Sequence, residues 1–398
     1  MKLNHGLHLA YSTNVHRSES WAQTFDSLQK YTLAVREKIC PLAPYAIGLR
    51  LSERAAVELN EPGELFNFRR WLDKNSCYIF TLNGFPYGYF HGSSAKEKAY
   101  LPDWTSPERV AYTNLLFNLL AELVPADVDG SVSTLPGSFK EFHLSTDALK
   151  TMRQNLWRTV EHIARVSEKT GRKLHLGLEP EPLCLLESSA EAIHLFEHLR
   201  AEHPRDERLD QHLGVNYDAC HFAVEFEEPH NALPFLINNG IKISKIHLSS
   251  ALRVYPAPDV CEELKKIPSD PFLHQVVECD ESGTRQIFRD LPDALQQMAK
   301  RYQTLQAEGV QEITLPEWRI HYHVPMHAAL QAPLENTNDH VLGVLDLLGE
   351  FPEICTHLEM ETYHWEMLPE ELKSREVVDQ LTAETHWVLA QLRERGLA

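Results

Sequence analysis

The stretch Leu174-His175-Leu176-Gly177-Leu178-Glu179-Pro180-Glu181-Pro182 begins as a near-continuous apolar run and stops at two carboxylates, each followed by a proline. Such a run, short and bounded by prolines, reads as a strand buried on both faces, as strands of parallel sheets are. Glu179 and Glu181 are two positions apart, so on an extended chain they point the same way. A carboxylate at the end of a buried strand is costly unless it is paired, hydrogen-bonded or bound to a metal. Two solvated loop glutamates are the plain alternative for this stretch taken alone.

Outward from it, strand-like and helix-like segments alternate in both directions. Upstream, Leu7 to Asn14, Ala46 to Leu51, Cys77 to Leu82 and Gly130 to Leu135 read as strands. Helices start at Ser18 or Ser20, at Ser52 and at Ser106-Pro107, and a long one closes at Gly171. Downstream, Leu213 to Asp218 and Ile243 to Leu248 are strands, and Thr356 to Glu361 is another before a last helix. Between them, His274 to Cys279 and Thr284 to Arg289 around Asp280-Glu281-Ser282-Gly283 read as a hairpin, and Trp318 to Val324 as a further strand.

That makes nine strand–helix units where a (β/α)8 barrel needs eight, so Trp318 to Val324 is assigned with the hairpin to an insertion. Strict alternation argues for parallel strands joined by right-handed crossovers. The expected fold class is α/β, a (β/α)8 TIM barrel with an inserted hairpin and strand. It forms a single domain over residues 1–398 whose largest insertion runs from about 251 to 325. A doubly wound open sheet is the competitor, but no GxGxxG or GxxxxGK[ST] follows any strand. The aromatic segment Phe85 to Thr105, leaving the third strand, is expected to form a lid over the mouth.

Bulk composition narrows the function. Of the 398 residues, 43% are hydrophobic and 24% charged, as in soluble globular proteins, and the net charge of −19 repels nucleic acid and anionic membrane. The seven cysteines are scattered without a CxxC pair, which fits a reducing cytosol and excludes a disulfide framework. Neither a secretory leader nor a membrane-spanning run is read, so a cytoplasmic protein with a small-molecule partner is expected.

Barrels of this kind carry their active sites at the carboxyl ends of the strands. Those ends hold Asn14 and His16, Asn83, Thr134, Glu179 with Glu181, Asp218 with His221, His247 with Arg253, and Glu359 with Glu361. Four late strands thus end in Glu, Asp, His and Glu, a donor mix suited to Mn²⁺, Mg²⁺, Co²⁺ or Zn²⁺. Each member alone has a plainer reading: a satisfied core histidine, a helix cap, a partner for an arginine.

Leu-Glu-Pro on the fifth strand, Asp218-Ala219-Cys220-His221 on the sixth, His247 followed by Arg253, and a glutamate on the last strand together resemble the xylose isomerase-like TIM-barrel superfamily. The resemblance implies that Glu179, Asp218, His247 and Glu359 hold a divalent metal ion, that Glu179 and Glu359 also act as acid and base, and that His221 and Arg253 contact substrate. Asn83, Glu181, Glu187 and His323 join the substrate-binding candidates. The register stays open: Glu181 or Glu187 supplies a second carboxylate on the fifth strand, Glu361 stands equivalent to Glu359, and Glu181 or His323 is able to replace a ligand.

Further motifs run through nearly the whole chain. They include Asn83-Gly84-Phe85-Pro86-Tyr87-Gly88, Ser133-Thr134-Leu135-Pro136-Gly137, His321-Tyr322-His323-Val324-Pro325 and Leu358-Glu359-Met360-Glu361-Thr362-Tyr363. They are similar to the EboE family of metabolite traffic proteins, which implies a place in the movement of secondary-metabolite precursors, beside operon partners or further copies of the chain, and implies no particular reaction. Two functions follow: metal-dependent isomerisation or epimerisation of a sugar- or polyol-like carbonyl compound, or non-catalytic escort of a metabolite. Hydrolysis by a metal-activated water ranks third.

Overall fold

A computed structural model describes residues 1–85, 97, 100–267, 273–310, 314–328, 330, 332–362 and 376–398. Most of the expected lid (86–96 and 98–99) lies outside these residues.

Thirteen strands are described: β1 (His8–Tyr11), β2 (Tyr45–Arg50), β3 (Cys77–Asn83), β4 (Gly130–Thr134), β5 (Leu174–Leu178), β6 (Leu213–Asp218), β7 (Lys242–Leu248), β8 (Ala251–Val254), β9 (Val276–Cys279), β10 (Arg285–Phe288), β11 (Glu317–His323), β12 (Glu335–Asn336) and β13 (His357–Met360). Eight of them form one parallel sheet in the order β1-β13-β7-β6-β5-β4-β3-β2. A parallel bridge from Ser12 to Gly48 brings its two edges together, so the sheet curls into a nearly closed barrel. The fold is the α/β TIM barrel read from the alternation, with β13 as its eighth strand.

Local chemistry supports several of the switches between strand and helix. Ser20 caps Trp21–Ser27 in a capping box with Gln23, and Ser52 caps Glu53–Leu59. Pro107 opens Pro107–Leu123 at its first position. Gly171, at φ 67°, ends the long helix Thr146–Thr170 in the left-handed conformation. Asp218 is itself the N-cap of Ala219–Val224, its Oδ1 accepting from the His221 backbone N at 3.1 Å.

Strand register sorts the side chains. Ser131 aligns with His175, Ser133 with Gly177, Asn83 with Ser133, Asp218 with His247, and Glu359 with His247. These polar and small residues share the interior face, while Leu9, Leu82, Val132, Leu176, Leu178, Val215, Ile246 and Leu358 belong to the apolar core beneath the helices. Space inside is tight at Gly48, where a Cβ would meet Glu359 Oε1 at 1.8 Å.

Between β7 and the helix Asn338–Glu350 the chain builds a second, antiparallel sheet in the order β10-β9-β11-β8-β12. The Trp318–Val324 segment belongs here and not to the barrel, paired with β8 and β9. Trp318, Ile320, Tyr322 and Val324 pack into this sheet's own core with Leu252, Val276 and Met298. The alternate residues of β11 face the other way, and Arg319 reaches the Ala223 carbonyl beside β6 at 2.8 Å. The insertion is thereby laid against the mouth of the barrel.

Candidate metal centre

Four buried side chains from four places on the barrel rim converge. Glu179 follows β5, Asp218 ends β6, His247 lies on β7 and Glu361 follows β13, and one ligand atom from each lies within 4.8 Å of all the others. His247 Nδ1 is the hub, 2.6 Å from Glu361 Oε2, 2.9 Å from Glu179 Oε1 and 3.4 Å from Asp218 Oδ2.

Neighbours hold these groups in place. Asn14 Nδ2 donates to Glu361 Oε1 at 2.8 Å, and Ser249 Oγ donates to Asp218 Oδ1 at 2.7 Å. His247 Nε2 donates to Glu359 Oε2 at 3.0 Å. A carboxylate behind a ligating imidazole is the arrangement that fixes ring orientation in metal sites.

The electrostatics are those of a site with surplus negative charge. Burial disfavours the Asp218 anion, but His221, His247 and His323 outweigh it and hold the carboxyl well below the usual range. Burial also opposes the His247 cation, and Lys245 adds to that, yet Glu361, Glu179 and Asp218 raise it well above an ordinary histidine. Glu181 moves the other way: burial, then Glu179 beside it, pushes its carboxyl well above the usual range.

Three carboxylates thus face one imidazole, and Glu179 Oε2 and Asp218 Oδ2 accept no hydrogen bond within the described residues. Buried carboxylate oxygens that accept no hydrogen bond are costly, and a divalent cation would satisfy them. Hard oxygens with one borderline nitrogen fit Mn²⁺, Mg²⁺, Co²⁺ or Zn²⁺, so the residues present suit such an ion.

The remaining candidates fall in different places. Glu359, read as a ligand and an acid/base group, lies one layer deeper, with Lys245 Nζ at 2.6 Å on Oε2 and Asn83 Nδ2 at 2.8 Å on Oε1. Burial opposes its charge, but Lys245 and His247 bring its pKa down to about 2. Its two oxygens are engaged by the barrel interior, and Glu361 takes the place in the cluster. Asn83 is engaged too, accepting from Lys245 Nζ at 2.7 Å and from Ser133 Oγ at 2.8 Å.

Arg253 does not come to the cluster. It projects from β8 to Glu335 at 3.1 Å and Asp339 at 2.8 Å, because the turn after β7 feeds the second sheet. Glu187 binds Lys140 and the Leu183 backbone N, stabilising the loop after β5. Glu181 leaves the line of β5 where the chain turns, and Cys184 Sγ lies 3.7 Å from its Oε2. His16 packs on Tyr31 and bonds Tyr11. His221 and His323 do reach the rim beside Asp218, and His321 arrives with them. Lys245 and His321 also reach this region, and their signal in the sequence is that each sits two residues before a candidate histidine and so shares its face.

No family model matches the chain, and neither does any curated protein. Solved structures do match over their length. A xylose isomerase-like TIM barrel protein from Mycobacterium smegmatis, in complex with magnesium, aligns at TM-score 0.53 and 10% identity, covering 99% of each chain. A xylose isomerase domain protein from Planctomyces limnophilus aligns at 0.50 and 12%, over 98% of this chain and 97% of the other. An L-ribulose 3-epimerase aligns at 0.50 and 10%, over 99% and 96%. At these identities the likeness is one of fold. Among the described residues no helix is long and apolar enough to cross a membrane.

Proposed function

We propose that this chain is a divalent-metal-dependent isomerase or epimerase acting on a sugar- or polyol-like carbonyl compound in the cytosol. The observation that carries the reading is the convergence of Glu179, Asp218, His247 and Glu361, with two carboxylate oxygens left without a hydrogen bond.

Glu179, Asp218, His247 and Glu361 would hold the cation, which would supply Lewis acidity toward a carbonyl substrate. The chain's own groups do the rest. Glu359 accepts the hydrogen bond from His247 Nε2–H and so turns Nδ1 toward the cluster. Asn14 and Ser249 aim Glu361 and Asp218. Glu179 Oε2 would take a proton from the carbon beside the carbonyl, and Glu181, whose carboxyl burial and nearby Glu179 push up, would return one. Glu359 acts through His247 and is a positioning residue.

The resemblance of its motifs to EboE proteins suggests the finer reading, a role in secondary-metabolite traffic, and with it escort without turnover as the second function. One experiment separates the two. Metal-loaded protein is incubated in D2O with a panel of ketoses and polyol-derived ketones, and deuterium at the carbon beside the carbonyl is read by NMR. The enzyme reading expects exchange that needs the metal and is lost in Asp218→Asn. Ligand binding by calorimetry with no exchange in any member, and no dependence on metal, overturns it in favour of escort.

A further inference from the structure

Three histidines beside the centre are arranged as ligands in their own right. His221 opens the helix after β6, while His321 and His323 come from the face of β11 opposite that sheet's core. One ring nitrogen from each lies within 4.8 Å of the other two, and all three rings are buried.

Hydrogen bonding fixes which nitrogens these are. His221 Nδ1 bonds the Pro180 carbonyl at 2.9 Å, and His323 Nδ1 bonds the Glu361 carbonyl at 3.0 Å. A carbonyl oxygen only accepts, so both Nδ1 atoms carry the proton. His321 Nδ1 bonds Gln275 Oε1 at 2.7 Å, and the Gln275 amide is oriented by its Nε2, which donates to Tyr100 Oη and the Pro182 carbonyl. That oxygen is therefore an acceptor as well. An imidazole so bonded, in its neutral form, holds hydrogen on Nδ1 and a lone pair on Nε2, the tautomer imposed on metal-ligating histidines by an oxygen behind the ring.

The spacing fits. A tetrahedral zinc with three imidazole nitrogens at about 2.0–2.1 Å sets ring centroids about 5 Å apart. Here they are 4.7 Å for His221–His321, 5.5 Å for His221–His323 and 5.5 Å for His321–His323. Asp218 stands between this trio and the carboxylate cluster, its Oδ1 4.0 Å from His221 Nε2 and its Oδ2 near His247.

We propose that His221, His321 and His323 form a second metal site, for a borderline divalent cation of the zinc class, adjacent to the carboxylate centre and joined to it through Asp218. Three nitrogen ligands leave one tetrahedral position open, as in catalytic rather than structural zinc sites. The two sites differ in softness, so a hard ion and a zinc-class ion are able to sit side by side.

The test titrates the full chain, stripped of metal, with Co²⁺ alone and follows stoichiometry by dialysis and the visible spectrum. Wild type is expected to take two ions per chain, the His321→Ala/His323→Ala variant one, and Glu361→Gln to keep the ion with the nitrogen-rich tetrahedral spectrum. Gln275→Leu, which removes the oxygen behind His321, weakens that ion about 10–100-fold. His323→Cys adds a thiolate-to-cobalt charge-transfer band, a signature of direct ligation that does not depend on the alanine variant folding. A wild-type protein whose cobalt count and spectrum are unmoved by the double change, or a folded His323→Cys protein without the sulfur band, overturns the proposal. A wild type that takes one ion only, kept by Glu361→Gln and lost by the double change, counts against the carboxylate centre and leaves this one standing; a double change that removes the Glu361-sensitive ion and spares the other overturns the proposal.

Discussion

His247 Nε2 and Glu359 Oε2 lie 3.0 Å apart at the floor of the cluster, and the same carboxylate oxygen receives Lys245 Nζ at 2.6 Å. The strand that sends Glu361 to one edge of the imidazole thus sends Glu359 to the other. Lys245 and Glu359 form a fully buried ion pair inside the barrel.

Breaking that pair from one side strands a charge. Lys245→Met or Glu359→Leu alone is expected to cost about 3–5 kcal/mol, while the double replacement costs much less than their sum. Urea denaturation of the four proteins checks this, and additive single effects would refute the pairing.

Metal binding should stabilise the fold. At a Mn²⁺ concentration a hundred times its dissociation constant the gain is about 2.7 kcal/mol. Asp218→Asn is expected to abolish it and His247→Gln to reduce it, as read by denaturation with and without chelator. An unchanged gain in Asp218→Asn removes Asp218 from the ligand set.

Acid should unfold the protein through its buried histidines. Burial lowers His16, His175 and His340 to about 3, and burial together with the amino terminus lowers His8 to about 4. In the unfolded chain such groups take up protons near 6.5, so below that pH the unfolded state binds more protons and stability falls. Each histidine adds a slope on the order of 1.4 kcal/mol per pH unit, present down to its folded pKa. Urea midpoints between pH 7 and 5.5 measure it, and His175→Gln should flatten the slope.

Glu225 works in the opposite direction. Burial, with Glu187 nearby, raises its pKa to about 8, so the folded state holds the proton that the unfolded chain releases near 4.5. Stability from this group is present at low pH and lost as pH rises through 8. Glu225→Gln should raise stability at pH 8.5 and leave it little changed at pH 4.5. An equal effect at both would discount the shift.

Gly48→Ala places a methyl where Glu359 Oε1 sits. Displacing that carboxylate also unsettles Lys245 and His247. A loss of about 1–3 kcal/mol from overpacking is expected, with weaker metal binding. Melting and metal titration check both, and an unperturbed variant would show that Glu359 has room to move.

Alternating apolar strands and capped helices made the barrel legible, because burial on both faces of a parallel strand leaves a short, strong pattern at β5, β6 and β7. The hairpin and the extra strand also declared themselves, since Asp280 to Gly283 is turn chemistry and a ninth strand does not fit an eight-stranded barrel. Glu179, Asp218 and His247 were readable as strand-end residues without any contact being known.

What the amino-acid sequence settled by itself is therefore the architecture and the types of group at the rim. Which of Glu359 and Glu361 joins Glu179 and Asp218 at His247 Nδ1 was beyond it: residues two apart share a face, and only the stagger of β13 against β7 sets their heights, about 6.6 Å apart along the strand. The fate of Arg253, drawn to Glu335 and Asp339, and the arrival of His321 and His323 beside His221 depend on a second sheet folding back across the mouth. Contacts between residues a hundred positions apart carry no local signature, because side-chain periodicity records which face is buried and not what lies against it.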